Sequence, residues 1–327
     1  MTTAEILAGF PKLSALVVGD ICLDRWCTYD PSLADPSRET GIPRIGVIQT
    51  EVTPGAGGTV ANNLVALGVG RVSVLGVVGN DGFGHELVKA LERRGIGADT
   101  LIQSPEMQTF TYTKLINSRT GVEDLPRVDF INTSPLDPKV ERQILDALPA
   151  AIHAFDVILV SDQAETSAGG VVTPAVRDLL ADLAPKYSGR VFLADSRARI
   201  GLFRNVIIKP NREEAESVCL QQFGRIDYQA LREYCQARFM IVTDGANGAI
   251  VVEAHQETFC KTKPISNPVD ICGAGDSFSA GTALALAITG SPVEAARFGN
   301  LVASITIMKK GTGTASPAEV LEAARGW

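Results

Sequence analysis

The sequence predicts an α/β fold: a mostly parallel sheet flanked by helices, with a smaller sheet beside it. Six short apolar runs, at residues 15–19, 72–78, 157–160, 191–194, 206–208 and 239–243, are rich in β-branched side chains. Continuous runs of this kind are what strands buried on both faces look like. Between them, residues 85–94, 140–151, 173–183 and 212–219 have helical spacing and good helix formers. Strand and helix in alternation give parallel neighbours, because each helix carries the chain back across the sheet. Two regions depart from the alternation, at about 29–53 and about 107–132. There, apolar and polar residues alternate without long helices, as in 44–50 and 109–116, which predicts solvent-facing strands outside the main sheet. Such strands would cover a site as a small lid, and a second subunit would pair on them.

The chain has 327 residues, 45% of them hydrophobic and 20% charged, enough for one large domain with an appendage or for two domains. Thirty basic and 37 acidic side chains give a net charge of −7 without long like-charge runs. That balance argues against a nucleic-acid or anionic-membrane surface and favours a small-molecule partner. Six cysteines (22, 27, 219, 235, 260, 272) contain no C-x-x-C pair, and the histidines at 85, 153 and 255 are scattered. Reduced thiols are expected, not a zinc site or a disulfide framework. The first ten residues lack the basic start and apolar core of a secretory signal, and no run approaches a membrane span, so a cytoplasmic protein is expected.

The most informative stretch is residues 267–281, where Gly273-Ala274-Gly275 precedes Asp276 and an apolar helix. Residues with little or no side chain let backbone N–H groups approach an anion, and the positive end of the helix adds to the attraction. A carboxylate beside an anion cradle suits phosphoryl transfer. The same residues could equally serve as an ordinary helix cap.

Other constellations follow the chain. Asp24, in Gly19-Asp-Ile-Cys-Leu-Asp24, stands after the first strand, where a carboxylate can accept from sugar hydroxyls or merely cap a loop. The glycine loop 54–63 leads into a helix and permits close backbone approach to a ligand. Asn211 and Glu214, three apart, either form a capping box or orient metal-bound water beside phosphates. Thr243 and Gly245 lie between two strands, as a hairpin turn or a phosphate contact. Asn300 sits on a late helix, followed by the small residues of 311–316. Gly76 to Gly84 lacks the G-x-G-x-x-G spacing of a dinucleotide loop, which counts against a nicotinamide-dependent dehydrogenase.

With Gly-Ala-Gly-Asp276, the early Gly-Asp-x-x-Leu-Asp24, the glycine loop, Pro-Asn211-x-x-Glu214 and the terminal Gly-Thr all in order, the chain resembles the PfkB or ribokinase-like sugar kinases over nearly its whole length. Residues 17–26, 36–47, 127–130, 159–162 and 310–317 look most like the kinase domain of the heptose-7-phosphate kinases, without the nucleotidyltransferase domain that can be fused to it. The resemblance implies one ribokinase-like three-layer α/β/α domain over 1–327 with a β-sheet lid. It also implies ATP and Mg²⁺ as cofactors, transfer of the γ-phosphoryl group to a sugar or sugar-phosphate hydroxyl, and a homodimer through the lid strands.

Carried over by position, the resemblance makes Asp276 the base and Gly273, Ala274 and Gly275 the anion hole. It puts the nucleotide at Asn211, Thr243, Gly245 and Asn300, and Mg²⁺ on Glu214 through water. Asp270, near Gly311, would serve a monovalent cation such as K⁺. The sugar would meet Asp24, Gly57, Gly58 and Asn62; a second register of the loop puts Gly55-Ala56 at the glycine pair and Thr59 at the asparagine. In this chain Gln163-Ala-Glu-Thr replaces a lysine-bearing segment, Asp195-Ser-Arg-Ala-Arg stands where Asp-Pro-Lys-Gly is common, and Lys209 replaces a threonine. Arg38, Arg127, Arg197 and Lys209 are the cations that would meet a phosphate already on the substrate. Two other readings stay open: a non-catalytic sugar or nucleotide sensor on this fold, and a kinase for another small alcohol such as a nucleoside.

Overall fold

The apolar runs become strands whose successive side chains enter two different cores. In β1 (Ser14–Gly19), Ala15 and Val17 pack into one buried cluster and Leu16 and Val18 into the other. That period of two, with both faces apolar, is the physical signature of a strand at the centre of a sheet. The protein, a computed structural model, is described at every residue except Glu165, Ser167 and Trp327. Glu165 belongs to the departing segment after Ser161-Asp162 and lies outside the described residues.

Beyond β1 come β2 (Ile21–Tyr29), β3 (Val47–Ala56), β4 (Arg71–Gly79), β5 (Ile96–Ser104), β6 (Thr111–Asn117) and β7 (Val128–Phe130). The second half holds β8 (Val157–Asp162), β9 (Val191–Ser196), β10 (Ile207–Ile208), β11 (Met240–Thr243), β12 (Gly248–Glu253) and β13 (Gln256–Lys261). The main sheet has nine strands among the described residues, in the order β13-β12-β11-β10-β9-β8-β1-β4-β5. It is parallel except for the β11-β12-β13 edge.

Helices α1 (Thr3–Gly9), α2 (Gly57–Ala66), α3 (Gly82–Glu92), α8 (Ala274–Thr289), α9 (Pro292–Thr306) and α10 (Pro317–Ala324) bury side chains in the first core. Helices α4 (Pro138–His153), α5 (Pro174–Leu183), α6 (Arg212–Phe223) and α7 (Tyr228–Tyr234) bury theirs in the second. The three layers follow from that division. Leu16 and Leu159 are 0% and 2% exposed, so truncating either to alanine removes about 2–5 kcal/mol.

A second sheet, in the order β3-β2-β6-β7, stands apart. Its β2–β6 pair is parallel and its β2–β3 and β6–β7 pairs are antiparallel. The region about 29–53 supplies β3, and 107–132 supplies β6 and β7. The central strand β2 lies earlier, over residues expected to form a loop after the first strand. The chain leaves one sheet and enters the other across a single residue, Asp20. Gly19 makes that step at φ +132°, where an added Cβ would stand 2.1 Å from the Ser161 carbonyl oxygen, so only glycine fits. Asp24 is therefore a strand residue, opposite Thr53 on β3 and Tyr112 on β6. Among the described residues no helix is long and apolar enough to cross a membrane.

Candidate active site

Helix α8 opens at Gly273, whose φ of +77° puts its backbone in the left-handed region and turns the chain into the helix. Asp276 follows in the first turn. Its carboxyl lies where two cavities meet. One, of about 110 Å³, is lined by Asp24, Trp26, Ala56, Thr59, Tyr112, Lys114, Arg127, Cys272 and Thr312; the other, of about 630 Å³, by Asp195, Lys209, Asn211, Glu214, Thr243, Gly245, Asn300 and Gly275. Asp276, Gly273, Gln163 and Arg197 border both. A group at Asp276 thus reaches whatever sits on either side.

Burial first, then the nearby Asp195 carboxylate, pushes the Asp276 carboxyl up to about 7, against the pull of Lys209 and Arg197. A carboxylate of that proton affinity takes up a proton near neutral pH, as a base does. Asp24 is pushed up to about 6, again by burial first, while Lys114, Arg127 and Arg197 hold it down. These three cations therefore surround Asp24 at the smaller cavity. Arg127 donates two hydrogen bonds to Asp129, at 3.0 and 2.6 Å, and lies over the Tyr112 ring; Lys114 lies over Trp26. Gly55 makes room for Asp24, since a Cβ there would stand 2.3 Å from its Oδ1.

The glycine loop resolves into a strand end and a helix start. Ala56 and Thr59 line the smaller cavity, whereas Gly57, Gly58 and Asn62 line neither. Gly57 and Gly58 lie where a Cβ would meet Ile21 at 2.8 Å and Pro54 at 2.5 Å, so they bring α2 close to β2 and β3. Of the second register, Ala56 and Thr59 line the smaller cavity, while Gly55 lines neither and packs against Asp24. Ala56 has φ +51° and ψ −120°, a conformation that strains any residue with a Cβ.

On the larger cleft, Asn211 caps α6 with its side chain accepting from the Glu214 N–H, while Glu214 accepts from the Asn211 N–H, both at 2.8 Å. The capping box is complete and its residues still face the cleft. Burial raises Glu214 above the usual carboxylate range, offset by the Asn211 bond. Thr243 and Gly245 form the β11–β12 hairpin at the rim. Asn300 turns its amide nitrogen to the Cys260 carbonyl at 2.9 Å, so it ties α9 to β13 as well as lining the cleft. Of the three cradle amides, that of Ala274 donates to the Ile271 carbonyl at 3.2 Å. Asp270 lines neither cavity; it accepts from the N–H groups of Cys272 and Gly311, at 2.9 and 3.1 Å, and joins the two loops. Among the described residues no group of three or more His, Cys, Asp or Glu could hold a metal ion.

Of the four cations considered for a substrate phosphate, Arg127 and Arg197 border the smaller cavity and Arg38 neither. Lys209 faces the larger cleft, 3% exposed, with Nζ 2.9 Å from Asp195 Oδ2. Burial, the largest influence, would lower its proton affinity, but Asp195 together with Glu214 and Asp276 makes the net shift upward. Asp195, Lys114 and Tyr112 were not singled out as site residues in the sequence, because each becomes a neighbour of Asp276 or Asp24 only through strand order. The same holds for Asp20, a fully buried carboxylate that accepts from Gln163, Ala164 and Val171 N–H at 2.8, 2.9 and 2.8 Å and so secures both ends of the loop carrying Gln163.

Comparison with known proteins agrees with this fold. Solved structures share the fold: ribokinase from Thermotoga maritima (TM-score 0.67, 19% identity, 96% of this chain and 99% of that one) and phosphofructokinase-2 from Escherichia coli in complex with potassium (0.72, 17%, 96% and 99%). Ribokinase from Arabidopsis thaliana, complexed with ribose and ATP, gives 0.68 at 19% identity, over 96% and 99%. Among curated proteins, the bifunctional protein HldE of Trichlorobacter lovleyi is 31% identical over 95% of this chain, and that of Geobacter sulfurreducens 30% over 97%. The chain spans 62% and 64% of the length of these two relatives. The pfkB family carbohydrate kinase model matches residues 14–319, and the chain belongs to that family, as a phosphotransferase acting on a sugar acceptor.

Proposed function

We propose that the protein transfers the γ-phosphoryl group of ATP to a hydroxyl of a sugar phosphate, of the heptose-phosphate class. The observation that carries this reading is the position of Asp276 between two cavities of unlike chemistry. The smaller holds a hydrogen-bonding carboxylate, Asp24, among three cations, as a sugar bearing an anionic group requires. The larger, with a helix N-terminus and a hairpin at its rim, accommodates a nucleotide. The HldE relatives support the heptose-phosphate class.

In this mechanism Asp276 accepts the proton of the sugar hydroxyl as its oxygen bonds to the γ-phosphorus, and the bond to the β-phosphate oxygen breaks with its electron pair leaving on ADP. The N–H groups of Gly273 and Gly275 would face the phosphoryl oxygens as charge builds on them, the Ala274 N–H being bonded to the Ile271 carbonyl. Glu214 and Asn211 suit a Mg²⁺ that keeps most of its ligands as water and phosphate, since they bring one carboxylate and one amide rather than a full cage. Held there, such an ion would supply positive charge against the phosphates as the group is transferred. We assign K⁺ no residue beyond the Asp270 region. A homodimer through the small sheet is part of the proposal: Val47, Ile48 and Val128 are 45%, 56% and 46% exposed there. Six unpaired cysteines among the described residues support a reducing, cytoplasmic compartment.

The test is ADP release across a panel of sugars and their phosphates, for wild type and Arg127→Ala. Wild type turns over a sugar phosphate at least about tenfold better in kcat/KM than the parent sugar, and Arg127→Ala loses about 1.4 kcal/mol or more of that preference. Equal rates on sugar and sugar phosphate would refute the substrate class; no turnover on any of them would refute the kinase reading.

A further inference from the structure

We propose that Lys209 is a catalytic residue that contacts the transferred phosphoryl group, with Asp195 as the residue that positions it. The proposal rests on the kinase reading above and goes beyond it. Three carboxylates, Asp195, Glu214 and Asp276, line the larger cleft. A polyphosphate cannot approach three carboxylates without compensating positive charge. Lys209 stands among them, on the segment joining β10 to α6, and its charge acts on both Asp276 and Glu214.

Position favours a role in the transfer step over one in substrate capture. Lys209 Nζ lies 3.8 Å from where a Cβ on Gly275 would be, so it borders the start of α8, where the transferred group must pass to reach a hydroxyl held at Asp276. Two other cations line this cleft, Arg197 and Lys263, and both are exposed, whereas Lys209 is buried. An ammonium has three donors. One goes to Asp195 Oδ2, which also accepts from Ser279 Oγ at 3.4 Å.

A buried ion pair by itself does little for stability, because desolvation cancels much of the attraction. Its placement matters more. Asp195 on β9 and Ser279 on α8 fix the direction of an otherwise flexible chain, and a preoriented charge needs no reorganisation as the phosphoryl group passes. As the bond from the γ-phosphorus to the β-phosphate oxygen breaks and the bond to the sugar oxygen forms, negative charge shifts onto oxygens within reach of Lys209. Its proton stays on nitrogen throughout, and the hydroxyl proton goes to Asp276.

The experiment compares wild type, Lys209→Met, and the double variant Lys209→Met/Asp195→Asn, which removes both charges and keeps the fold free of an unpaired buried carboxylate. Turnover is read with the sugar phosphate that wild type accepts, and affinity with ADP alone and with ADP plus aluminium fluoride, a mimic of the group in transit. The expected result is a fall of about 10²–10³-fold in kcat for both variants. ADP affinity is retained, and the gain that fluoride gives wild type is lost. If Lys209→Met unfolds, the double variant decides alone. A folded double variant that turns over within about tenfold of wild type, or that keeps the fluoride gain, overturns the proposal and leaves Lys209 as a structural partner of Asp195. Wild type without turnover on any substrate overturns the kinase reading itself, an outcome distinct from an active wild type with an equally active double variant.

Discussion

Replacing Asp276 by asparagine should destroy the activity and stabilise the protein, and the two effects come from one cause. The carboxyl rises from 3.8 to about 7 because the fold surrounds it and sets Asp195 beside it. At 1.36 kcal/mol per unit, the ionised form costs the folded state on the order of 4 kcal/mol. The sign follows from the direction of the shift. A raised carboxyl leaves stability intact below its unfolded value near 3.8 and erodes it as pH climbs toward 7, after which the loss is constant. Asparagine never ionises, so Asp276→Asn should match wild type in thermal midpoint at pH 4 and exceed it by several degrees at pH 8. Over the same range wild-type kcat/KM should rise about tenfold per pH unit below 7 and level off above it, as the base loses its proton. The variant should be slower by roughly 10²–10⁴-fold. Thermal unfolding at both pH values, with ADP release across the range, gives both readings. An equal difference in midpoint at pH 4 and pH 8, or a variant within tenfold of wild-type rate, would refute the assignment of Asp276 as a half-buried base.

Two further substitutions probe the smaller cavity. Ala56→Gly removes a Cβ from a conformation that costs about 1–3 kcal/mol and gives back about 0.5–1 kcal/mol of it in backbone entropy. The thermal midpoint should therefore stay level or rise, and sugar KM should change as the cavity gains a methyl's volume; a marked drop in midpoint would show that Ala56 carries no strain. Gly55→Ala places a methyl 2.3 Å from Asp24 Oδ1, so sugar KM should rise at least about tenfold while ATP KM holds. Unchanged sugar KM would remove Asp24 from the sugar site.

The main sheet was legible because its strands are apolar on both faces and its helices are regular: residues 140–151 were expected to be helical and α4 runs Pro138–His153. β5 carries little strand signal, since Ile96–Ser104 sits at a sheet edge, largely half-buried, and lacks a continuous apolar run. The sequence around β2 suggests a loop because nothing in Gly19-Asp20-Ile21 announces a change of sheet; the step is a matter of one dihedral at Gly19. At the site, Asp276 and the Asn211–Glu214 cap were legible because their meaning is local, set by a turn and a helix start. The Lys209–Asp195 pair joins residues on adjacent strand ends, and only the pairing of β9 with β10 brings them together. The two registers of the glycine loop differ by two residues at the glycine pair and by three at the asparagine, and the packing of Gly57 and Gly58 against Ile21 and Pro54 has no signature in the sequence.

The way the small sheet is rooted has a mechanical consequence. Of its four connections to the rest of the fold, one is the single residue Asp20 between β1 and β2, and another is the junction where β3 ends at Ala56 and α2 begins at Gly57. The Gly57 N–H is bonded to the Asp20 carbonyl at 2.9 Å, and the Asp20 N–H to Ser161. A cover hung on slack connections could slide or swing free, but this one is clamped where these two stems cross, and ahead of β6 Thr109 is bonded to Asp81 as well. Any opening must therefore pivot near these roots, with large travel at the distal end of β3 and almost none beside Asp24 and Thr59. Substrate would enter from the far rim, while the wall that orients it for Asp276 stays put.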